Sequence, residues 1–409
     1  MLYVLADYFR ELLARLHMEW LVRLLTQYID FRAVLSIVLS FAFVVVLGPR
    51  VIRRLIALKI GDNPEFYNQT LNELTAGKRN TPTMGGILIC GAVLFCTLLL
   101  ADIGNFYVQM ALLCMIWLAV LGGFDDWLKL TSARRKPGSR EGLYTWEKLL
   151  FQLGLAVILG LFIHSHGAHK LEADPHHLNQ MSHALNLPFI KTWSWDPSLG
   201  TYVPSEMLVK FLTLGAGAFV VLTVLVITGS SNAVNLTDGM DGLASGIMAI
   251  VAFAFMILAL IAGEEMRSKF LLVPYIPESD ELAIVAGAMV GSCLGFLWFN
   301  CHPAQVFMGD TGSLTLGGLI GYIAVVVRQE FLLLIIGGVF VAEALSVMVQ
   351  VGFFKATKKQ PGGGRRLLKC APVHHHFHLS GWTENQVVVR FWIITVVLAA
   401  LALATIKVR

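Results

Sequence analysis

The stretch Asn232-Ala-Val-Asn-Leu-Thr-Asp-Gly-Met-Asp-Gly242 lies between two long apolar runs, at 211–228 and 243–262. Each run is long enough to cross a bilayer as a helix, which takes about 20 apolar residues. Acidic and amide side chains at the ends of such runs are costly in lipid unless they do chemistry or pair with a charged group. The stretch therefore predicts a functional polar loop between two transmembrane helices.

Two other places in the sequence repeat this pattern. Asp125 and Asp126 follow the apolar run 110–124, and Asp310 follows the run 283–299 after a short polar connector. If all three places face one side of the membrane, their carboxylates can form a single acidic site at its surface.

The composition fixes the class of protein. The 409 residues are 56% hydrophobic and 14% charged, whereas a soluble domain is about 45–50% apolar and about 25% charged. We predict an all-α polytopic membrane protein that lies in the lipid bilayer and has no nucleic-acid partner. The six cysteines have no metal or disulfide spacing, and the N-terminus lacks the pattern of a cleavable signal peptide. We therefore expect no zinc site, no disulfide framework and no cleaved leader.

The apolar runs predict ten transmembrane helices. Their approximate cores are 33–49, 84–101, 108–124, 148–164, 209–228, 243–263, 282–299, 313–327, 331–354 and 388–406. Residues 1–32 have apolar side chains at helical spacing between charged ones, which favours an interfacial helix, although an ordinary packed amphipathic helix fits equally well. Residues 33–409 are predicted to form one transmembrane domain with a long external insertion at about 165–207.

The basic residues give the orientation. Most lysines and arginines fall in the loops after the odd-numbered spans, at about 50–83, 125–147, 229–242, 300–312 and 355–387. Loops rich in lysine and arginine face the cytoplasm. The acidic stretches and the cluster His374-His375-His376 are therefore predicted on the cytoplasmic face, with both termini outside.

Carboxylates beside lysines at a membrane surface are typical of a site for a divalent cation and a phosphorylated substrate. Magnesium uses one or two carboxylates together with substrate phosphates, and phosphoryl transfer needs alignment and charge neutralisation more than covalent help. The candidate ligands or bases are Asp125, Asp126, Asp238, Asp241 and Asp310, and the candidate phosphate contacts are Lys78, Lys129 and Lys148. A plainer interpretation of Asp238 and Asp241 is that they cap the following helix.

The remaining polar segments are less specific. Three adjacent histidines at 374–376 cannot all face one ion, so we expect them to hydrogen-bond a phosphate or a metal-bound water. Thr81-Pro-Thr-Met-Gly-Gly86 and Gly309-Asp-Thr-Gly-Ser313 open the second and eighth predicted spans. The free amides at the start of the eighth span can meet a phosphate, although plain helix starts explain both segments equally well.

Five segments are recognisable in order along the chain: Lys78-Arg-Asn-Thr-Pro-Thr-Met-Gly-Gly86, Phe124-Asp-Asp126, Asn232-Ala-Val-Asn-Leu-Thr-Asp-Gly-Met-Asp-Gly-Leu-Ala244, Phe296-Leu-Trp-Phe-Asn300 with Pro303-Ala-Gln-Val-Phe-Met-Gly-Asp-Thr-Gly-Ser313, and Ala371-Pro-Val-His-His-His376 with Gly381-Trp382. Together they resemble the phospho-N-acetylmuramoyl-pentapeptide transferase family of bacteria. The resemblance runs from about residue 30 to the C-terminus.

The resemblance implies a transferase that moves phospho-MurNAc-pentapeptide from UDP-MurNAc-pentapeptide to undecaprenyl phosphate with Mg²⁺. The products are lipid I and UMP, in peptidoglycan biosynthesis and hence in cell-wall biogenesis, cell shape and cell division. It also implies ten transmembrane helices with a cytoplasmic-face cleft, a homodimer, and a place in the bacterial inner membrane with both termini periplasmic.

The resemblance also implies roles for individual residues. Asp310 is the expected magnesium ligand, Asp125 or Asp126 is a further candidate ligand, and Asp125 is the candidate for deprotonating the lipid phosphate. Asp125, Asp126 and Asp310 are thus the expected catalytic residues. The expected substrate-binding residues are Lys78, Thr83, Lys129, Lys148, Asn235, Asp238, Asp241, Asn300, Phe307, His374, His375 and His376.

Two features depart from the family pattern. His378 stands where the family usually has an acidic residue, which leaves its role open. The external segment 164–206 holds half of the twelve histidines of the chain, and we interpret it as a soluble decoration rather than a metal site. The resemblance decides neither the peptide variant nor whether transfer is direct or passes through a phosphorylated aspartate.

Two other functions share parts of the pattern. A polyprenyl-phosphate N-acetylhexosamine-1-phosphate transferase would share the aspartate motifs but differ in the segment from His374 to Trp382. A cation-coupled secondary transporter would also carry acids among its helices, but near the bilayer midplane. The segment from His374 to Trp382 favours the muramoyl substrate over the hexosamine one, and the clustering of the acids at one face argues against a transporter.

Overall fold

The computed structural model describes residues 17–57, 81–131, 142–173, 181–198, 200–205, 212–358 and 363–406, together with Tyr3, Tyr8, Phe9, Glu11 and Arg15. Within these residues the chain is almost entirely helical. The helices are α1 Glu19–Thr26, α2 Ile29–Ala57, α3 Gly86–Leu100, α4 Phe106–Thr131, α5 Thr145–Ala173, α6 Ala216–Thr237, α7 Leu243–Ala262, α8 Glu265–Leu271, α9 Leu282–Asn300, α10 Gly309–Val326, α11 Glu330–Ile336, α12 Gly338–Thr357, α13 Val373–His378 and α14 Glu384–Thr405.

The described helices confirm the predicted all-α membrane architecture. Nine of them are long and apolar enough to cross a membrane. The second predicted span is α3, which is apolar but has only 15 residues, or about 22 Å at 1.5 Å per residue. Nine of the ten predicted spans therefore each coincide with one apolar helix, and the remaining one, the ninth in order, is divided between two helices. α1 covers part of the predicted interfacial segment 1–32, and the first span already begins at Ile29.

The ninth span differs from the expectation of one continuous helix over 331–354. The structure has the short α11, which ends at Ile336, and then α12, which begins at Gly338. The break falls on two adjacent glycines, Gly337 and Gly338, which are poor helix formers. As a result α12 runs as a separate helix, and only a small part of its span is buried.

The core of the bundle lies around α9 and α10, whose spans are 83% and 94% buried. α10 packs against α4 and α6, and α9 packs against α2 and α7. Small residues allow these close approaches. A Cβ at Gly317 of α10 would lie 2.5 Å from the carbonyl oxygen of Ser230 in α6, and one at Gly321 would lie 2.3 Å from the Ser230 hydroxyl. α6 and α10 therefore touch backbone to backbone.

The predicted external insertion lies at the end of the bundle away from Asp310. It contains the hairpin of β1, Trp193–Asp196, and β2, Thr201–Pro204, which pair antiparallel. The indole of the buried Trp193 donates to the carbonyl of Val273 (2.7 Å), and Arg328, just beyond the end of α10, donates to the carbonyl of Ala184 (2.8 Å). The insertion thus packs onto the helix ends opposite the start of α10.

Three histidines of the external segment, His164, His166 and His183, pack against other rings. The rings of His164 and His183 stack with centroids 4.0 Å apart, and His166 stacks on Phe106 at 4.0 Å. Within the described part of the insertion, no three metal-ligating side chains converge. His176 and His177 lie outside the described residues.

Candidate active site

Two helix ends bring the three predicted catalytic aspartates together. Asp125 and Asp126 lie near the end of α4, and Asp310 is the second residue of α10. One carboxylate oxygen from each lies within 4.8 Å of the others, and all three side chains are buried. Gly122 allows this contact, because a Cβ there would lie 2.3 Å from the carbonyl oxygen of Asp310. The convergence predicted from the sequence is therefore present.

Two lysines neutralise part of this acidic charge. Lys148 at the start of α5 places its ammonium nitrogen 2.6 Å from Oδ2 of both Asp125 and Asp310. Lys129, one turn after Asp125 on α4, lies 2.8 Å from Oδ2 of Asp125 and 3.2 Å from Oδ2 of Asp310. Burying the carboxylates without such partners would be strongly unfavourable. Two of the three predicted lysines thus belong to the aspartate cluster.

Asp126 makes a different set of contacts from its neighbour. Its Oδ1 accepts the backbone N–H of Asp310 (3.0 Å), and its Oδ2 accepts the N–H (2.9 Å) and the hydroxyl (2.6 Å) of Thr311. The two N–H groups belong to the first turn of α10, where backbone amides have no partner within their own helix. Asp126 therefore caps α10 from another helix and fixes the place of Asp310. The sequence reasoning did not foresee this role.

The last turn of α6 and the loop that follows it supply further contacts to the start of α10. The amide of Asn235 donates to Oδ1 of Asp310 (2.9 Å) and to the hydroxyl of Ser313 (2.9 Å). Asp238 lies just past the end of α6, with its carboxyl group close to the backbone N–H of Gly309. Burial, with the charges of Asp310 and Asp126 adding to it, raises the pKa of Asp238 to about 7. Both residues lie at the site, as predicted.

Asp241 belongs to a second cluster beside the first. One ligand atom each of Asp241, His302 and Glu384 lies within 4.8 Å of the others. Nδ1 of His302 is 3.0 Å from Oδ2 of Asp241, and the N–H of Ala304 donates to the same oxygen (3.1 Å). Glu384 accepts the N–H of Asp241 (2.9 Å). This cluster ties together the loops that follow α6 and α9 and the start of α14. The sequence reasoning missed His302 and Glu384, since nothing local marks either of them.

Asn300 forms hydrogen bonds to the loop that follows α6 and to the loop that follows α9. Its side chain is buried, with Oδ1 accepting the N–H of Gly242 (3.0 Å) and Nδ2 donating to the carbonyl of Val306 (2.8 Å). Its Oδ1 also accepts the hydroxyl of Ser245 in α7 (3.2 Å), so Asn300 connects the start of α7 with the loops on either side of it.

Phe307 and Thr83 lie where the second and eighth spans begin. The backbone N–H of Phe307 donates to the carbonyl of Pro82 (2.8 Å), so the two segments run side by side. Thr83 is buried against Gly309, where a Cβ would lie 2.9 Å from the Thr83 hydroxyl and 2.8 Å from Oδ2 of Asp126. Gly309 also has a φ of +72°, which favours glycine. Lys78 lies outside the described residues.

Two of the three adjacent histidines lie against the loop after α6. A Cβ at Gly239 would lie 2.5 Å from Nε2 of His374 and 3.6 Å from Nε2 of His375. His376 instead accepts the N–H of Lys369 through Nδ1 (3.1 Å). The expectation that the three imidazoles cannot face one point is consistent with this arrangement. His378, the departure from the family pattern, has Nδ1 3.1 Å from the carbonyl of Trp382.

The chemistry of the site follows from this geometry. Buried carboxylates, two ammonium groups and the N-terminus of α10 meet at one end of the bundle, and positive dipole ends and lysines attract phosphate. Hard carboxylate oxygens are ligands for magnesium. The site can therefore hold a divalent cation together with phosphate groups.

Comparison with known proteins identifies relatives of the chain. The family described as glycosyl transferase family 4 matches residues 108–328, and the phospho-N-acetylmuramoyl-pentapeptide-transferase signature 1 matches residues 78–90. A phospho-N-acetylmuramoyl-pentapeptide-transferase from Desulfotalea psychrophila (strain LSv54 / DSM 12343) is 41% identical over 406 residues, which cover 98% of this chain and 100% of that protein. The family match spans nearly all of α4 and the whole of α5, α6 and α10, which are the helices that carry the residues of the aspartate cluster.

Proposed function

The chain belongs to the phospho-N-acetylmuramoyl-pentapeptide transferase family, and from this premise we propose how its residues carry out the transfer. It transfers phospho-MurNAc-pentapeptide from its UDP carrier to undecaprenyl phosphate in peptidoglycan synthesis. An oxygen of the lipid phosphate forms a new bond to the phosphorus that bears the sugar, and the bond from that phosphorus to UMP breaks. The observation that carries our proposal is the convergence of Asp125 and Asp310 on Lys129 and Lys148.

We propose that Mg²⁺ binds at Asp310, with Asp125 as the second carboxylate. Two adjacent buried carboxylates suit a cation that takes one or two protein ligands and keeps the rest for water and phosphate. The amide of Asn235 already holds one oxygen of Asp310 in place. Asp126 is the weaker candidate, because three donors already occupy its oxygens. Bound Mg²⁺ would neutralise charge on the phosphates as the bond to UMP breaks.

Lys129 and Lys148 are the groups that we assign to the substrate phosphates. In the structure their ammonium groups form ion pairs with Asp125 and Asp310, and the side chain of Lys148 is less exposed than that of Lys129. A phosphate that enters the cluster meets two positive charges already held in place, so little reorganisation is needed. Lys78 would add a third charge, as the family motif implies.

Asp125 is our candidate for taking the proton from the lipid phosphate. Its carboxylate is fully buried, with Oδ1 held by the N–H of Leu143 (2.7 Å) and Oδ2 beside both lysines. A base must be aimed at the proton it accepts before its basicity matters. These contacts orient Oδ2 toward the space in which the phosphates would lie.

The cellular arrangement is also a proposal. We infer that the enzyme lies in the bacterial inner membrane as a homodimer, with the aspartate cluster at the cytoplasmic face and both termini in the periplasm. The excess of lysine and arginine in the loops on the side of Asp310 supports this orientation.

The alternatives are less favoured. The signature over residues 78–90 and the identity to a muramoyl-pentapeptide transferase argue against a hexosamine-phosphate transferase. A transporter would carry its acids near the midplane, whereas Asp125 lies near the end of α4 and Asp310 at the start of α10.

The test is turnover by the purified protein. We expect release of UMP from UDP-MurNAc-pentapeptide only when Mg²⁺ and a polyprenyl phosphate are both present, and no release from UDP-GlcNAc. Asp310→Ala and Asp125→Ala should each lower kcat by at least about a hundredfold, because charge stabilisation at the reacting phosphates is lost. Asp196→Asn, in the external hairpin, is the control and should leave turnover unchanged. Full activity of Asp310→Ala would rule out its proposed role, and turnover of UDP-GlcNAc would favour the sister family.

A further inference from the structure

One carboxyl side chain is buried within α12, away from the aspartate cluster. Glu343 has no exposed side-chain surface, in a helix long and apolar enough to cross the membrane. A carboxyl group in such a helix is costly unless it is paired, and it generally marks a functional site. Its partner is His374, equally buried, whose Nδ1 lies 3.0 Å from Oε2 of Glu343.

Each residue of this pair keeps one polar atom that makes no hydrogen bond within the described part of the chain. Oε1 of Glu343 and Nε2 of His374 are both buried, and neither has a hydrogen-bond partner among the described residues. A buried polar atom without a partner is rare in proteins and requires an explanation, such as a ligand that completes the site. One nitrogen of the imidazole is thus fixed by the carboxyl group, while the other remains available.

The available nitrogen points at the proposed active site. Nε2 of His374 lies so close to Gly239 that a Cβ there would be only 2.5 Å away. Gly239 directly follows Asp238, in the loop that continues from Asn235 and its hydrogen bond to Asp310. The imidazole is therefore held between α12 and the loop that borders the aspartate cluster.

We propose that Glu343 is a positioning residue for the transfer reaction and acts through His374. By accepting the Nδ1–H of His374, it fixes the ring so that Nε2 faces the loop 238–241, where a polar group of the bound UDP-sugar completes its hydrogen bonding. A neutral imidazole held in this way accepts a hydrogen bond at Nε2, and a doubly protonated one donates from it. This inference rests on the proposed function and extends it to a residue outside the recognised motifs.

The pair has a simpler interpretation, which is that it only fastens α13 to α12. Such a fastening would change the stability of the protein but would not depend on the orientation of Nε2. The two interpretations differ in turnover: loss of a fastening lowers the melting temperature and leaves kcat/KM of the folded enzyme unchanged, whereas loss of the Nε2 orientation lowers kcat/KM. A glutamine at position 343 keeps an acceptor for Nδ1 without the charge, so it tests whether the hydrogen bond alone is enough.

The experiment compares UMP release and thermal unfolding of the full-length enzyme and its variants in detergent. We expect Glu343→Ala to lower kcat/KM by about a hundredfold, the loss that a misplaced group of this kind can cause. Glu343→Gln should recover to within about tenfold of wild type, because it keeps an acceptor for Nδ1. The double variant Glu343→Ala/His374→Ala should be no slower than His374→Ala alone, because both residues act through one contact.

A matched control lies on the same helix. The hydroxyl of Ser346 donates to the backbone carbonyl of Glu343 (2.6 Å) and does not contact His374. Ser346→Ala therefore tests disturbance of α12 without loss of the carboxyl group, and its turnover should match that of wild type.

Three results would overturn the inference: undiminished activity of Glu343→Ala, equal losses in Glu343→Ala and Glu343→Gln, or losses in the double variant that multiply those of the single ones. Each is read against wild-type turnover in the same assay. An inactive wild type would contradict the proposed function instead, so the two failures can be told apart.

Discussion

At the scale of single residues, the carboxylate charges of the site are partly neutralised by lysine ammonium groups at short distances. Two ammonium groups rest on Oδ2 of Asp125 and Oδ2 of Asp310, at 2.6–3.2 Å. Asp238 lies beside these groups, and its pKa is raised to about 7 by burial and by the neighbouring charges of Asp310 and Asp126. Its protonation therefore changes near neutral pH.

Asp238 should make the stability of the protein depend on pH. The unfolded carboxyl loses its proton near 3.8 and the folded one near 7, so between these values the folded state holds the extra proton. Stability from this group therefore falls as pH rises from about 4 to about 7. Asp238→Asn cannot ionise, and its melting temperature should exceed that of wild type by a margin that grows from pH 4 to pH 8.

The measurement is thermal unfolding of both proteins in EDTA across that range. Asp102→Asn removes one carboxyl group beyond the far end of α3 and serves as the control. A difference between Asp238→Asn and wild type that stays constant with pH would contradict the prediction.

At the scale of elements, the site depends on how α10 begins. Its first turn presents free amides, and Asp126 of α4 accepts from two of them and from the Thr311 hydroxyl. Gly309 and Gly122 allow α4 and α10 to approach closely enough for this. The aspartate pair is thus divided in function: Asp125 faces the lysines, and Asp126 holds the helix that carries Asp310.

Loss of this cap should lower stability as well as activity. Asp126→Ala leaves three donors without their acceptor, at a cost of about 1–3 kcal/mol for such a buried group. Thr311→Val removes one of the three donors and should have a smaller effect. Thermal unfolding in detergent measures both, and an unchanged melting temperature for Asp126→Ala would show that the cap is dispensable.

At the scale of the whole molecule, the two ends of the bundle have different characters. The aspartate cluster, the second cluster around Asp241 and the histidines lie at the end where α10 begins. The hairpin of the insertion packs at the other end, through Trp193 and the backbone of Val273. This polarity is what a one-sided reaction at a membrane surface requires.

The polarity predicts which residues a membrane-impermeant maleimide can reach in intact spheroplasts. Cys301 is exposed and lies at the end with Asp241 and His302, so it should react only after lysis. Ser198→Cys, in the turn of the external hairpin, should react in intact cells. Labelling of Cys301 from outside would reverse the proposed orientation.

Much of the fold followed from local properties of the sequence. The ten apolar runs, the loop between the fifth and sixth of them, and the bias of lysine and arginine are each visible within a short window of residues. Lipid requires a spanning segment to be apolar and to satisfy its own backbone hydrogen bonds, and for this reason composition alone determines where the helices lie. The split of the ninth span at Gly337 was not foreseen, because two glycines inside an apolar run do not by themselves show whether neighbours support a continuous helix.

The sequence by itself determined the class of protein, the order of its helices and the motif residues of the site. Only the tertiary structure decided how those residues divide their work. The cap of Asp126 on Asp310 joins positions 184 residues apart, the contact of His302 with Asp241 spans 61 residues, and that of His374 with Glu343 spans 31. The physical reason is that a spanning helix is specified by its own hydrophobicity, whereas a hydrogen bond between two helices exists only after both have packed.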